Sequence, residues 1–349
     1  MKEAMSKDLS TWDEDYNDIV EEIRARLVRL ATAHEGEYTA VLLQGSGTFC
    51  LEATITTAVP ADGLLLVLIN GAYGQRMLDI AKRCSIPCTS VDFGETSVPD
   101  PEVIDRVLDD NPAITHVAVV HLETTTGILN PLEDICRIVK QHDKVLLVDA
   151  ISSFGGISMD AADLGIDFLI SSANKNIQGV PGFGFVIAQK DRLAGCEGRA
   201  RSLALDIFDQ WQTMDAHHSK WRFTSPTHVV LAFRQALDEL DAEGGIAARH
   251  DRYMQNRKML VDGMRALGFE TIIPDELQGM VIATFLEPES PTYDFKRFYD
   301  LLKQKGFVIY PGKVTSAKTF RVGHIGEVYP DDVVRLLDAI KASMFWLDG

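Results

Sequence analysis

The stretch "VLLVDAISSFGGISMDAADLGIDFLISSANK", residues 145–175, contains two short apolar runs, and each run leads to a residue that can carry chemistry. The first run ends in Asp149, and the second leads through two serines to Lys175. Apolar runs of this length are typical of strands buried on both faces of a sheet. We expect one helix-plus-strand unit between Asp149 and Lys175. Both residues should then lie at the carboxyl edge of a parallel sheet, where α/β proteins bind their ligands.

The first two thirds of the chain repeat this pattern of short apolar runs. Apolar, β-rich runs alternate with amphipathic stretches such as "GQRMLDIAKRC" and "LEDICRIVKQH". The strand candidates are "YTAVLLQG", "LLLVLIN", "HVAVVHLE", "VLLVDAISS", "DFLISSA" and "GFGFVIA". Nearly continuous hydrophobic strands separated by helices predict an α/β fold with a mostly parallel sheet that helices cover on both faces.

The alternation of strand and helix patterns ends near residue 228. Long helical patterns follow, in "VVLAFRQALDELDAEGG" and "ARHDRYMQNRKMLVDGMRALG", and then shorter strand and helix patterns to the end of the chain. We therefore predict a large domain over residues 1–228 and a smaller C-terminal α+β domain over residues 229–349.

Composition narrows the class of protein. The 349 residues include 51 acidic and 34 basic side chains, which give a formal net charge of −17. This charge disfavours binding to nucleic acid or to an anionic membrane surface. No apolar run reaches the roughly twenty residues that span a bilayer, and the N-terminus lacks the apolar core of a secretory signal. Five cysteines without a C-x-x-C pair fit reduced packing residues. We expect a cytoplasmic protein, and no metal site is predicted.

The segment "LLQGSGTFCLEATI" follows a strand candidate and opens a helix. Ser46, Gly47 and Thr48 place backbone N–H groups and two hydroxyls at the helix N-terminus, where the helix dipole favours a phosphate. The glycine spacing does not match the dinucleotide-binding or P-loop patterns. Ser and Thr at this position are also ordinary helix N-caps, so the segment alone leaves a phosphate site and a simple cap both open.

Asp149 and Lys175 together indicate a cofactor. A buried lysine amine can form a Schiff base, and enzymes that use pyridoxal 5′-phosphate (PLP) pair such a lysine with an acid that keeps the pyridine nitrogen protonated. A phosphate site, an acid and a lysine in this order along one sheet edge favour a PLP site over a coincidence of structural residues.

Two other strand ends carry candidate residues. "HLETTTGILNP" places Glu123 and Thr124 after a strand, where the hydroxyls either bind a cofactor or substrate or form an ordinary threonine-rich turn. "NGAYGQRM" places Tyr73 after another strand, where its ring either lies on a planar cofactor or packs in the core.

The C-terminal part adds one cation and one polar loop. Arg321 lies within the apolar strand pattern of "TFRVGHIG", and its planar fork suits a carboxylate or phosphonate, although a structural salt bridge is the alternative. The loop "KWRFTSPTH" contributes Trp221, Arg222 and Thr224, whose purpose the spacing does not reveal. Lys313 in "YPGK" is a further candidate on charge alone, with a solvated loop lysine as the alternative.

Several motifs together resemble the 2-aminoethylphosphonate–pyruvate aminotransferases, a branch of the class V, fold-type I PLP-dependent enzymes. The resemblance covers essentially the whole chain. It rests on "LLQGSGTFCLEA", "NGAYGQR", "VHLETTTGILNP", "VDAISSFGG", "SSANKNIQGVPGFGFV", "KWRFTSPTH", "GFVIYPGK" and "FRVGHIGEV".

The resemblance implies a role for each candidate residue. Lys175 forms the Schiff base with PLP and later moves a proton, and Asp149 holds the pyridinium nitrogen. Arg321 binds the acidic group of the substrates, 2-aminoethylphosphonate and pyruvate. The other cofactor contacts implied in the same way are Ser46, Gly47 and Thr48 at the phosphate, Thr224 from the partner subunit of a homodimer, Tyr73 and Ile151 on the ring, Thr124 near the phenolic oxygen, and Asn174 beside the lysine.

Two points qualify this expectation. Members of the branch carry a longer N-terminus with a "TPGP"-type segment that wraps the active site, and this chain begins after it, which puts substrate closure and full activity in question. Alanine–glyoxylate and serine–pyruvate aminotransferases share the cofactor motifs and are the alternative enzymes. A noncatalytic PLP-binding protein is the alternative outside catalysis.

Overall fold

The computed structural model describes residues 1–347. Its helices are α1 (Glu14–Ala31), α2 (Gly47–Ala58), α3 (Ala72–Arg83), α4 (Pro101–Asp110), α5 (Leu132–Gln141), α6 (Lys190–Ala194), α7 (Ile207–Ala216), α8 (Thr227–Glu243), α9 (Gly245–Ala266), α10 (Phe295–Gln304) and α11 (Pro330–Lys341). Its strands are β1 (Tyr38–Gly45), β2 (Leu64–Ile69), β3 (Cys88–Asp92), β4 (Ile114–Val120), β5 (Leu122–Glu123), β6 (Ile128–Leu129), β7 (Val145–Asp149), β8 (Phe168–Ser172), β9 (Gly182–Gln189), β10 (Ile282–Leu286), β11 (Tyr310–Pro311) and β12 (Thr319–Gly323).

The largest sheet has seven strands in the order β1-β9-β8-β7-β4-β2-β3. Strands β3, β2, β4, β7 and β8 pair in parallel, whereas β9 pairs antiparallel with both β8 and β1. Strand β9 therefore runs against the other six. The predicted α/β fold with a mostly parallel sheet is confirmed.

Helices cover both faces of this sheet. Buried apolar side chains of α1, α4, α5 and α8 form the core on one face, and those of α2, α3 and α7 form the core on the other. Strand β1 contributes Ala40 and Leu42 to the first core and Val41 and Leu43 to the second. Successive side chains of a strand point to opposite faces, and each fully buried Val or Leu stabilises the fold by about 1.5–3 kcal/mol.

The connection between β7 and β8 differs from our expectation. Residues 150–167 form turns rather than a helix. Gly155 and Gly165 adopt left-handed φ values of 78° and 67°, which are incompatible with a right-handed α-helix. Glycine also has a low helix propensity. The expected position of Asp149 and Lys175 is unaffected, because β7 and β8 are adjacent and parallel.

A second, three-stranded sheet forms in the C-terminal part. It has the order β10-β12-β11, is antiparallel, and packs with α9, α10 and α11 around a separate core that includes Phe285, Phe298 and Phe320. Helix α8 contributes its buried side chains, including Phe233, to the core of the large sheet. The domain division between residues 228 and 229 stays a prediction.

A short hairpin, β5–β6, contacts the smaller sheet. Its turn residue Gly127 has a φ of 98°, and a Cβ atom there would overlap the carbonyl oxygen of Ile282 in β10. The backbone N–H of Gly279 donates to the carbonyl of Gly127 at 2.7 Å. The threonine-rich turn is therefore held against the smaller sheet. None of the described helices combines the length and the apolar character needed to cross a bilayer.

Candidate active site

The carboxyl edge of the large sheet brings the main candidates together. Strand β1 leads into α2, strand β2 leads into α3, strand β7 ends at Asp149, and strand β8 leads to Lys175 within three residues of its end. Parallel strands present their carboxyl ends at one edge, so the segments that carry these residues converge there.

Asp149 is a buried carboxyl group that makes one hydrogen bond to the described part of the chain. Its side chain is only 3% exposed, and Oδ1 accepts from the backbone N–H of Ile151 at 2.9 Å. Burial, and to a lesser degree the nearby charge of Glu123, raises the pKa of Asp149 to about 7, against the opposing effects of this hydrogen bond, Arg76 and Lys175. Within the described residues no cation forms an ion pair with Asp149. The site therefore favours a positively charged partner for this carboxyl group.

Lys175 lies half-buried in a firmly held turn. The Nδ2 atom of Asn176 donates to the carbonyls of Ser152 and Phe154 at 3.0 and 3.2 Å, and Gln178 Nε2 donates to Tyr253 Oη at 2.6 Å. Asn174 is exposed, and its Oδ1 accepts from Ser172 Oγ at 3.1 Å.

The charge of Lys175 acts on both neighbouring candidates. It lowers the pKa of Asp149 and that of Tyr73, although other groups have larger effects on each. The segments that carry the amine, the acid and the phenol all lie at the carboxyl edge of the large sheet, as a shared ligand requires.

The N-terminus of α2 forms the proposed phosphate end. Ser46 occupies the N-cap position and is exposed, yet its side chain makes no capping hydrogen bond. Gly47 lies against Ile151, because a Cβ atom at Gly47 would come within 2.5 Å of Ile151 Cδ1. Thr48 Oγ1 accepts from Arg76 Nη1 at 3.1 Å. This geometry leaves the first N–H groups of α2 available to an anion, whereas a simple serine cap would use one of them.

Tyr73 is positioned by a buried glutamate. The carboxylate of Glu123 is fully buried and accepts from the backbone N–H groups of Tyr73 and Gly74, both at 3.2 Å, and from the N–H and hydroxyl of Thr125. A Cβ atom at Gly71 would come within 2.5 Å of Glu123, so only glycine permits this approach. Burial raises the pKa of Glu123 despite these hydrogen bonds. Glu123 and Thr125 therefore anchor the start of α3.

The phenol of Tyr73 interacts with groups from three other segments. Lys313 Nζ donates to its oxygen at 3.2 Å, and Thr124 and Arg321 interact with the same oxygen. Arg76 Cζ lies 4.7 Å from the ring centroid. Burial alone raises the pKa of the phenol, but Thr124, Lys313 and Lys175 together lower it below its ordinary value.

Arg321 is buried and has no carboxylate partner among the described residues. It is 6% exposed, Nη1 donates to the carbonyl of Thr124 at 2.8 Å, and Nε donates to that of Pro311 at 3.1 Å. Burial lowers the pKa of its guanidinium. Among residues 1–347 it forms no ion pair, so the structural salt bridge that was the alternative is not found.

The loop of Trp221, Arg222 and Thr224 is only partly tied to the rest of the chain. Trp221 is buried, whereas Thr224 is exposed and makes no hydrogen bond to another described residue. The neighbouring Phe223 is 52% exposed. Within the described residues of one chain, Thr224 therefore has no hydrogen bond to the phosphate end.

Sequence reasoning missed Arg76 and undervalued Lys313. Arg76 lies three residues after Tyr73 on α3, a spacing that places two side chains on one helix face and could have indicated it. Lys313 comes from a distant loop, and no local pattern indicates its contact with Tyr73.

The arrangement as a whole suits an anionic ligand with a cationic ring. Arg76, Lys175, Lys313 and Arg321 bring four cationic groups to one edge of a chain whose net charge is −17. PLP fits these groups, since Lys175 offers an amine, the buried carboxyl of Asp149 suits a protonated ring nitrogen, and the uncapped N-terminus of α2 suits the phosphate.

Comparison with known proteins identifies the family. The model of the "Aminotransferase class-V" family matches residues 2–327. A 2-aminoethylphosphonate–pyruvate transaminase from Vibrio vulnificus is 58% identical over 347 residues, which cover 99% of this chain and 94% of the relative. A protein of the same name from Syntrophobacter fumaroxidans is 59% identical over 344 residues, 99% of this chain and 92% of the relative.

Solved structures share the fold. Pyridoxamine–pyruvate aminotransferase from Mesorhizobium loti superposes with a TM-score of 0.89 at 24% identity, over 98% of this chain and 88% of the other. Alanine–glyoxylate aminotransferase from Nostoc superposes with a TM-score of 0.88 at 24% identity, over 98% of this chain and 91% of the other. The family model and the relatives at 58–59% identity show that the chain belongs to the class-V aminotransferase family, whose members are PLP-dependent enzymes.

Proposed function

We propose that this enzyme transfers the amino group of 2-aminoethylphosphonate to pyruvate, with PLP as cofactor, and releases phosphonoacetaldehyde and L-alanine. Relatives that are 58–59% identical over nearly the whole chain carry the name of this activity. The structural observation that best supports the proposal is Arg321, a buried guanidinium at the Lys175–Asp149 edge that no carboxylate of residues 1–347 pairs with. Such a group suits a substrate with an acidic end.

Lys175 and Asp149 have separate roles in the proposed reaction. When bound, PLP supplies an electron-poor ring that accepts the electrons released as the carbon bearing the nitrogen loses its proton, and it carries the amino group from one substrate to the other. Lys175 Nζ would hold the cofactor, and its free amine would accept the proton of that carbon and return it in the second half-reaction. The carboxylate of Asp149 stabilises positive charge on the ring nitrogen, which suits its burial without a cationic partner.

The phosphate end is formed by α2 and Arg76. Ser46, Gly47 and Thr48 offer N–H groups and hydroxyls at the helix N-terminus. Thr48 Oγ1 accepts its hydrogen bond from Arg76, so the threonine hydroxyl is free to donate its own proton to an anionic oxygen. Arg76 thereby orients Thr48 and adds a positive charge to the phosphate site.

Both substrates use the Arg321 end of the site. The phosphonate of the amino donor and the carboxylate of pyruvate bind there in turn, because each half-reaction must place its reacting carbon beside Lys175. Thr124 would hold the phenolic oxygen of the cofactor, Ile151 would contact its ring, and Asn174 is adjacent to the lysine in the chain.

We also propose a cytoplasmic homodimer with shared active sites, in which Thr224 reaches the phosphate site of the partner subunit. All five cysteines are free thiols, which fits a reducing compartment. Phe49 and Phe223 are each 52% exposed, one beside the phosphate end and one beside Thr224, and a subunit interface would cover them.

Mixing two inactive variants tests the shared site. Lys175→Ala and Thr224→Asp each damage every site of their own homodimer. After subunit exchange, a mixed dimer contains one site with Lys175 from one chain and Thr224 from the other, so roughly a quarter of wild-type activity should return. Activity that does not return, in a mixture shown to exchange subunits, contradicts shared sites.

Amino-donor profiling tests the activity. The PLP-loaded enzyme is given 2-aminoethylphosphonate, L-alanine or L-serine, each with pyruvate or glyoxylate as acceptor, and the products are quantified. We expect phosphonoacetaldehyde and L-alanine in equal amounts from the first donor with pyruvate. A clear preference for alanine with glyoxylate, or for serine with pyruvate, would replace the proposal by the corresponding alternative enzyme. PLP binding without any product would point to a noncatalytic protein.

A further inference from the structure

Arg321 alone does not balance the charge of a phosphonate group or bind all of its oxygens. Two of its nitrogens are already fixed, since Nε donates to Pro311 and Nη1 donates to Thr124. One guanidinium charge balances the single charge of a carboxylate such as that of pyruvate. A phosphonate has three oxygens and, like a phosphate monoester, approaches two negative charges near neutral pH. A second cation at this end would therefore favour phosphonate.

Lys313 is the second cation. Its Nζ lies 3.2 Å from the phenol oxygen of Tyr73 and 4.6 Å from the centroid of that ring. Arg321 Nε donates to the carbonyl of Pro311, which lies two residues before Lys313. The two cations therefore belong to the same end of the site. Lys313 is exposed and forms no ion pair with a described carboxylate, so its charge is available to a ligand.

The loop that carries Lys313 is held in place. The backbone N–H and hydroxyl of Thr315 both donate to Glu95 Oε2, each at 2.8 Å. The N–H of Gly312 donates to the carbonyl of Thr319 at 2.8 Å, and a Cβ atom at Gly312 would overlap Thr319. These contacts on both sides of Lys313 fix its backbone over the edge of the large sheet. A freely solvated loop lysine would have no such support.

We propose that Lys313, positioned by the phenol of Tyr73, is a specificity-determining residue that selects a phosphonate over a carboxylate amino donor. The ammonium group binds phosphonate oxygens that Arg321 does not satisfy, whereas pyruvate needs only Arg321. The proposal rests on the proposed transamination of 2-aminoethylphosphonate.

The test compares two donors that differ only in the acid. 2-Aminoethylphosphonate and 3-aminopropanoate have the same amine and the same carbon spacer, with a phosphonate or a carboxylate at the end. In Lys313→Gln we expect kcat/KM for the phosphonate to fall about ten- to a hundredfold, mainly through KM, as for the loss of one charge-assisted hydrogen bond. The kcat/KM values for 3-aminopropanoate and pyruvate should change by less than about threefold. Tyr73→Phe should lose part of the same selectivity.

The matched control is Lys318→Gln. Lys318 lies in the same loop, is exposed and forms no ion pair with a described residue, so this variant should behave as wild type with both donors. The visible absorption of bound cofactor should be unchanged in Lys313→Gln, which separates lost selectivity from a damaged site.

Binding of unreactive ligands decides the proposal without turnover. Ethylphosphonate and propanoate are titrated into each PLP-loaded protein by calorimetry, and Lys313→Gln should weaken ethylphosphonate selectively by the same tenfold or more. Equal weakening of both ligands, or no weakening of either, overturns the role of Lys313. If the wild-type protein forms no product from 2-aminoethylphosphonate, the proposed function is contradicted. The role of Lys313 is then still tested, because the binding comparison needs no turnover.

Discussion

Replacing Asp149 by asparagine should change how the stability of the cofactor-free protein depends on pH. The substitution keeps the size of the side chain and an oxygen that can accept from the N–H of Ile151, which now lies 2.9 Å from Oδ1. It removes only the ability to ionise. The difference between variant and wild type therefore reports the free-energy cost of a buried negative charge at this position.

The magnitude follows from the pKa of Asp149. Burial raises it from 3.8 to about 7 in the folded protein. Below the lower value both folded and unfolded wild type are protonated, and the charge costs nothing. As pH rises, the unfolded chain ionises first and the folded state loses stability until Asp149 itself ionises near 7. At about 1.4 kcal/mol per pH unit, the full loss is about 4 kcal/mol.

Urea unfolding of the cofactor-free proteins at several pH values measures this difference. The unfolding free energy of Asp149→Asn minus that of wild type should rise by up to about 4 kcal/mol between about pH 4 and pH 8. A constant cost of the buried amide cancels in this comparison, as does the titration of groups that do not interact with Asp149. Asp62→Asn, at an exposed residue without a hydrogen bond or ion pair to a described residue, should follow wild type at every pH.

Adding PLP provides the complementary result. The protonated ring nitrogen supplies the cation that Asp149 lacks, so stabilisation by PLP should grow with pH in the wild type and much less in Asp149→Asn. Parallel stability curves of the two proteins across the whole pH range would refute the reasoning, since they would mean that the carboxyl group is not destabilised by burial.

Three other variants test the remaining parts of the site. Lys175→Ala should bind PLP only noncovalently, and borohydride fixation of the cofactor to another lysine would contradict the assignment. Arg321→Ala should raise KM for both 2-aminoethylphosphonate and pyruvate by about a hundredfold while cofactor absorbance persists, and normal kinetics would exclude its role. Arg76→Gln should weaken the binding of PLP about tenfold and weaken that of pyridoxal, which lacks the phosphate, much less. Equal weakening of PLP and pyridoxal would exclude a role of Arg76 at the phosphate.

Much of the large sheet could be predicted from hydrophobic runs. The pattern "YTAVLLQG" corresponds residue by residue to β1, Tyr38–Gly45, because a strand buried on both faces has an apolar sequence. Strand β3, Cys88–Asp92, was missed. It lies at the sheet edge and is only partly buried, so its sequence "CTSVD" carries one large apolar residue. The reversed direction of β9 has no sequence signal.

Some residues of the candidate site could also be predicted from the sequence, and others could not. Asp149 and Lys175 could be placed because Asp149 ends its strand and Lys175 lies three residues after the next one, and strand ends are visible in the sequence. The failure to expect turns between β7 and β8 did not matter, since parallel pairing alone fixes their common edge. The contact between Lys313 and Tyr73 joins residues 240 positions apart and depends on how the two sheets pack, which no local pattern encodes.

The most direct test of the proposed activity is the visible absorption of the PLP-loaded protein during two successive additions. The account predicts that 2-aminoethylphosphonate abolishes the absorption band of the bound cofactor in the absence of any acceptor, and that pyruvate then restores it with formation of one L-alanine per site. A band that 2-aminoethylphosphonate leaves unchanged, in protein that responds to L-alanine or L-serine, would contradict the central claim.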